Sequence, residues 1–212
     1  MSDSTVMQWL GVDVGWVYPA ADSDGRIYRW ADARTTRSVA QTTSSRCGPV
    51  TIRRADGTVE SQAAYDSRQM AELSNRSDYN TRCEGLSQTI LHRCKSTYRG
   101  IALEDWSDDR RHANFVALYN ALVRNARKRG IPIALVDRAY TSQTCPECKH
   151  VDPANRAERN WFECVNCGNA GQADIIAATN ISARASEPGA RFLTSKVSMS
   201  DVDLKVIADL TA

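Results

Sequence analysis

Alternation of apolar and polar positions is clearest near the start of the chain. Residues 8–17 (QWLGVDVGWV) set Leu10, Val12 and Val14 against Gly11 and Asp13, which predicts a strand. Asp22-Ser-Asp-Gly25 signals a turn, with glycine where a positive φ is useful, and residues 26–30 predict the returning strand. Residues 50–53 predict a short third strand, with Asp56-Gly57 as a turn. From 61 to 95 the apolar positions are sparse: Ala64, Met70, Leu73, Leu86, Ile90 and Leu91. This predicts one or two helices interrupted near residues 75–80. Residues 100–106 (GIALEDW) predict another strand, ending in Glu104-Asp105. Residues 111–129 carry the clearest helical period, with Phe115, Leu118, Leu122 and Val123 on one face. Arg124, Arg127, Lys128 and Arg129 crowd its end, and Gly130 terminates it. The run IPIALV (131–136) predicts a strand, and residues 174–185 a helix that Glu187-Pro-Gly189 stops. Residues 190–212 fit either a docked helix or a disordered end. This order predicts an α/β fold: a mixed sheet with helices on its faces.

Composition narrows this picture. A chain of 212 residues suffices for one ordinary domain with a small insertion. The net charge of +2 does not by itself argue for nucleic acid. Arg68, Arg76, Arg82, Arg93, Lys95 and Arg99 recur, either as a solvated helix face or as a phosphate-facing surface. No apolar run reaches the length of a membrane span, and MSDSTVMQWLG does not resemble a secretory leader. A cytoplasmic protein is therefore expected, with Cys47, Cys83 and Cys94 as free thiols in a reducing compartment.

The other four cysteines form two Cys-x-x-Cys pairs, Cys145/Cys148 and Cys164/Cys167, separated by fifteen residues. That is the spacing of a four-thiolate zinc ribbon, a closed structural site rather than a catalytic one. His150 is not needed as a ligand beside four thiolates. Lys149, Arg156 and Arg159 are candidates to touch phosphates. Trp161 and Phe162 are either ribbon core or base-stacking groups. Three acids stand out by position: Asp13 within a strand, Glu104 at a strand end and Asp174 in the first turn of a helix. Asp13 is either an outward, solvated side chain or a carboxylate at the centre of a sheet, with Gly11 and Gly15 leaving room beside it. If the two strands pair, Asp13 and Glu104 approach each other, and Asp174 closes the set. Gathered carboxylates repel one another and make sense around Mg2+ or Mn2+. Asp105 is a candidate auxiliary acid.

The segments GVDVG, IALED and QADIIAATNI resemble the three RuvC motifs of the TnpB proteins and the related type V CRISPR effectors. YTSQTCPECKHVDPANR…FECVNCG is similar to the ribbon this family inserts between its second and third motifs. The resemblance implies an RNase H-like (RuvC) fold with an inserted four-cysteine zinc ribbon. It also implies metal-dependent cleavage of DNA, with Asp13, Glu104 and Asp174 as catalytic, Mg2+-holding acids. The implied organisation is residues 1–139 as the first part of the RuvC domain, 140–171 as the ribbon, 172–189 as the motif III helix and 190–212 as a tail. Ile176 departs from the pattern, standing where the family often has asparagine. The first motif begins almost at Met1, so the recognition half of such proteins is expected to be missing, and guide-RNA binding does not follow.

Two functions are compatible with these residues. One is a two-metal endonuclease acting on single-stranded or locally opened DNA and linked to a mobile element. The other is a protein that binds nucleic acid, or a separate recognition protein, without cleaving, or a truncated remnant.

Overall fold

The computed structural model describes residues 7–15, 18–32, 51–53, 59–61, 76–106, 113–156 and 158–193. Six strands form one mixed sheet. They are β1 (Trp9–Asp13), β2 (Ala20–Asp22), β3 (Ile27–Tyr28), β6 (Gly100–Glu104), β7 (Ile133–Val136) and β10 (Arg191–Leu193), in the order β10-β7-β6-β1-β2-β3. β1, β6 and β7 run parallel, and β2, β3 and β10 pair antiparallel. Two two-stranded sheets stand apart from it: β4 (Thr51–Arg53) with β5 (Val59–Ser61), and β8 (Trp161–Glu163) with β9 (Ala170–Gln172). Among the described residues three α-helices complete the set: α1 (Arg76–Ser96), α2 (Ala113–Lys128) and α3 (Ala173–Arg184).

The sheet is covered on both faces, and side-chain size tells the faces apart. Leu10, Val12, Ile101, Leu103, Ile133 and Leu135 pack in one core with Leu86, Ile90 and Leu91 of α1 and Leu118 and Leu122 of α2. The alternate positions carry small residues: Gly11, Ala102 and Ala134. That second face lies under α3, where Ala102, Ala134 and Val136 cluster with Ile181 and Ala185. Small side chains let the helix sit close. A Cβ placed on Gly11 would fall 2.1 Å from the Ala178 carbonyl oxygen and 2.6 Å from Ser182 N, an impossible approach. Ser182 Oγ also donates to the Trp9 carbonyl at 2.9 Å. Asp13 and Glu104 continue this same face by the two-residue period of their strands.

Several expectations change. The helix over 76–96 is continuous, so the interruption near residues 75–80 does not extend into Arg76–Asn80. Its buried stripe is Cys83, Leu86, Ile90, Leu91 and Cys94, and Tyr79 packs tilted against Trp30, ring centroids 5.2 Å apart. Two of those positions are cysteines acting as small hydrophobes, and burial pushes both thiols up to about 12. Arg93 and Arg99 are neither a solvated face nor a phosphate surface. They pair with Asp24 on the β2–β3 turn at 2.7 and 2.5 Å, and Arg93 Nε lies 3.1 Å from buried Asp22. Asp22 also accepts from Tyr28 Oη at 2.7 Å and from the backbone of Asp24 and Arg26, which closes the turn around Gly25 at φ 87°. The returning strand is short because Trp30–Asp32 turns as a 3-10 helix, with Asp32 Oδ2 accepting from Arg29 N. Residues 191–193 form an edge strand against β7, which neither expectation for the tail contained. The turn at Asp56-Gly57, Cys47, Arg68 and residues 194–212 lie outside the described residues. Among the described residues, no helix is long and apolar enough to cross a membrane.

Candidate active site

Parallel pairing brings the two strand-borne acids together. Val12 is opposite Leu103, so Asp13 and Glu104 follow one step on, at the carboxyl ends of neighbouring central strands. Asp174 enters from above in the first turn of α3, held by the residue that caps this helix. Gln172 Oε1 accepts from Ile175 N at 2.9 Å, and its Nε2 donates to Asp174 Oδ2 at 3.2 Å. Gly15 borders the same space: a Cβ built there would lie 3.8 Å from Asp174 Oδ2 and 3.9 Å from Asp13 Oδ2.

Burial and mutual repulsion shape the electrostatics. Glu104 is 9% exposed and Asp174 5%. Burial, then the charges of Glu104 and Asp174, hold the Asp13 carboxyl well above its ordinary range. Burial also raises Glu104, against a hydrogen bond from Thr141 and the charges of Arg138, Arg184 and Arg156. It raises Asp174 as well, against the Gln172 bond, Arg156 and Arg159. Among the described residues, Arg156 is thus the one cation that acts on all three. Its Nη2 stands 3.5 Å from Asp174 Oδ1, while its guanidinium donates to the Arg159 carbonyl at 2.8 Å. Three carboxylates brought together from separate elements, two of them buried, suit a hard divalent cation. Asp105 turns away and pairs with Arg191 at 2.7 Å.

Four thiols form a second cluster nearby in the chain. Cys145 and Cys167 sulfurs are 3.6 Å apart, as are those of Cys148 and Cys164, and all four lie within 4.8 Å of one another. Tetrahedral zinc with Zn–S of about 2.3 Å requires S–S separations of about 3.8 Å, so the set fits that ion. The two knuckles repeat one geometry. Lys149 N bonds Cys145 O at 3.0 Å and Gly168 N bonds Cys164 O at 2.8 Å, with φ 62° and 74° at the residue after each second cysteine. Asn166 and Asn169 amides donate to the Cys148 and Cys145 sulfurs. Among the described residues this is the one such tight group of potential ligands, so the three carboxylates are spread more widely. His150 is half-buried and pairs with Asp152 at 3.8 Å, outside the thiol set.

Of the two ribbon aromatics, Phe162 is fully buried with Cys145, Cys164, Ala173 and Ile176, so it is ribbon core and does not stack on a base. Ile176 therefore ties the ribbon to the helix that carries Asp174. Trp161 is 38% exposed. The sequence reading missed three polar anchors. Asn155, fully buried, donates to the Gln143 and His150 carbonyls and accepts from Val165 N, joining the two knuckles. Thr141 Oγ1 donates to Glu104 Oε1 at 2.5 Å. Asn180 donates from one amide to Thr141 O at 2.8 Å and Thr144 O at 2.7 Å. A buried asparagine between apolar helix positions was the available signal for the last.

A mixed sheet flanked by helices, with acids at the ends of two central strands and on a returning helix, and a four-cysteine ribbon before that helix, defines an RNase H-like domain of RuvC type. Residues 115–181 match the Cas12f1-like, TNB domain family. The chain is 34% identical over 79 residues to the CRISPR-associated endodeoxyribonuclease Cas12f1 of Sulfoacidibacillus thermotolerans, covering 37% of this chain and 17% of that protein. It is 32% identical over 69 residues to the protein of the same name from Syntrophomonas palmitatica, covering 32% and 14%. The chain thus spans less than a fifth of the length of these relatives. The cryo-EM structure of a Cas12f1-sgRNA-target DNA complex shares the fold, with TM-score 0.52 and 16% identity over 86% of this chain and 50% of that one. Over residues 115–181 the chain is thus similar to the Cas12f1-like, TNB domain of type V CRISPR effectors.

Proposed function

We propose that this chain is a metal-dependent DNA endonuclease domain in which Asp13, Glu104 and Asp174 hold Mg2+ or Mn2+, and Cys145, Cys148, Cys164 and Cys167 hold one structural zinc. The observation that carries this reading is the convergence of three carboxylates from three separate elements, two strand ends and the first turn of a helix. Bound there, a pair of divalent ions supplies the Lewis-acid chemistry of phosphodiester hydrolysis. The chain's own residues fix the geometry. The strand ends set the Asp13–Glu104 spacing, Gln172 orients Asp174, and Gly15 leaves open the space in front of both aspartates. On this reading residues 1–139 and 172–189 form one nuclease body, 140–171 the ribbon inserted in it, and 190–212 a tail that begins on the sheet edge. The substrate is DNA in single-stranded or locally opened form, the state in which a strand reaches a recessed carboxylate cluster. Guide RNA and a separate recognition protein are partners that the likeness to these proteins allows. A link to a mobile element belongs to the same family-level proposal.

The test is cleavage of labelled single-stranded, nicked and branched DNA with Mg2+ or Mn2+. Cleavage is expected from the wild type and not from Asp13→Ala or Glu104→Ala. A wild type inert on every such DNA contradicts the proposal. One observation favours a second reading, nucleic-acid binding without cleavage: the Arg156 guanidinium already lies beside Asp174 where a cation would serve. Salt-dependent DNA binding unchanged by Asp13→Ala, with no cleavage, would establish it.

A further inference from the structure

Glu104 has the longest side chain of the three acids and needs the most help to hold one geometry. Its carboxylate accepts a short hydrogen bond from Thr141 Oγ1 to Oε1 at 2.5 Å. The Thr141 hydroxyl has one proton and two acceptors in reach, Glu104 and the Arg138 carbonyl at 3.2 Å. The nearer, charged acceptor takes it. Thr141 is 3% exposed, so water does not compete freely for that proton.

The turn that carries Thr141 is itself gripped from α3. Both amide protons of Asn180 are used on its backbone, at Thr141 O and Thr144 O. One helical turn further, Arg184 Nη1 donates to Asp137 O at 2.8 Å and Ala139 O at 2.7 Å, on the near side of the same turn. The helix that bears Asp174 therefore also fixes the hydroxyl that fixes Glu104. Residues near metal ligands that hold them in this way set metal affinity.

We propose that Thr141 is the positioning residue for Glu104, and that Asn180 holds Thr141 in place, so that two of the three acids are oriented from one helix. This rests on the reading of the three acids as a divalent-metal site. It gives the turn between β7 and the ribbon a task beyond leading into the ribbon.

The test is Mn2+ titration of the purified, zinc-loaded chain, followed by loss of the free-ion paramagnetic resonance signal. Zinc content and melting temperature are recorded for each variant. Thr141→Val should weaken Mn2+ binding by about 10- to 100-fold, and Thr141→Ser should stay within about twofold of wild type. Thr141→Ala carries the same comparison should the valine variant not fold. Asn180→Ala should weaken binding too, and combining it with Thr141→Val should add little, because both act through one contact. In cleavage, excess Mn2+ should restore the rate of Thr141→Val but not of Glu104→Gln. Wild-type-like Mn2+ binding by Thr141→Val, while Glu104→Gln loses it, overturns this inference alone. Fully additive losses overturn the role given to Asn180. No Mn2+ binding by the wild type overturns the metal-site reading, and this inference with it.

Discussion

The thiol cluster and the carboxylate cluster are built by opposite means. The four cysteines lie in two short knuckles that repeat one backbone geometry, and their sulfurs pack within 4.8 Å of one another. The three acids come from β1, β6 and α3, and meet only because β1 and β6 pair in parallel and α3 lies close on Gly11. The first site is local, and little beyond the ribbon is needed to make it. The second is a product of the whole sheet. Damage should therefore stay confined in one case and spread in the other.

The largest effect is expected at the acids themselves. Asp174→Asn should reduce Mg2+-dependent cleavage to background while leaving the melting temperature unchanged or raised, since a buried carboxylate held above its ordinary range is replaced by a neutral amide. A variant that cleaves at the wild-type rate would break the functional half of the comparison. Next comes Gly11→Ala. The added methyl meets the Ala178 carbonyl and Ser182, so α3 must lift from the sheet, at a cost of about 3 kcal/mol in denaturant unfolding. Because α3 carries Asp174, cleavage should fall with stability. Cys164→Ala, or zinc chelation, should do the reverse. Amide exchange should quicken across residues 140–171 and remain slow in β1, β6 and β7. Loss of protection throughout the sheet would show that the ribbon is not a local structure.

Asn155→Ala sharpens the same point at lower cost, about 1–3 kcal/mol confined to the ribbon, because it leaves Gln143 O, His150 O and Val165 N without their buried partner. The smallest effect is at the β2–β3 turn. The hydrogen bond from Arg99, with Arg93 and both charges, holds Asp24 at about 2 against an ordinary 3.8. A depressed carboxylate stabilises the fold above its unfolded pKa and loses that contribution as pH falls from about 4 through 2. Screening at this part-exposed site limits it to about 1 kcal/mol. Asp24→Asn should flatten the wild-type stability curve in that window and leave neutral-pH cleavage intact.

The same contrast explains what could be read in the sequence. Cys145, Cys148, Cys164 and Cys167 declare themselves by spacing, since metal geometry is encoded within each knuckle. The central strands are legible because Leu10, Val12, Ile101, Leu103, Ile133 and Leu135 are large and apolar. The second face is not, because Gly11, Ala102 and Ala134 show no hydrophobic signal, though their smallness seats α3. Helix α1 was blurred by counting Cys83 and Cys94 as thiols, not as core. Arg93 and Arg99 looked like a basic surface because Asp22 and Asp24 lie some seventy residues away. Thr141 and Asn180 were hidden for the same reason: their partners are distant in the chain. Phe162 could be ribbon core or a stacking platform until its burial decided.

The most direct test of the account is anomalous scattering at the manganese edge from crystals grown with zinc and soaked in Mn2+. The account places manganese between Asp13, Glu104 and Asp174, at about 2.0–2.2 Å from their oxygens, with zinc retained on the four thiolates. Manganese absent from the three acids at saturating concentration, in crystals whose thiol site holds its zinc, would contradict it.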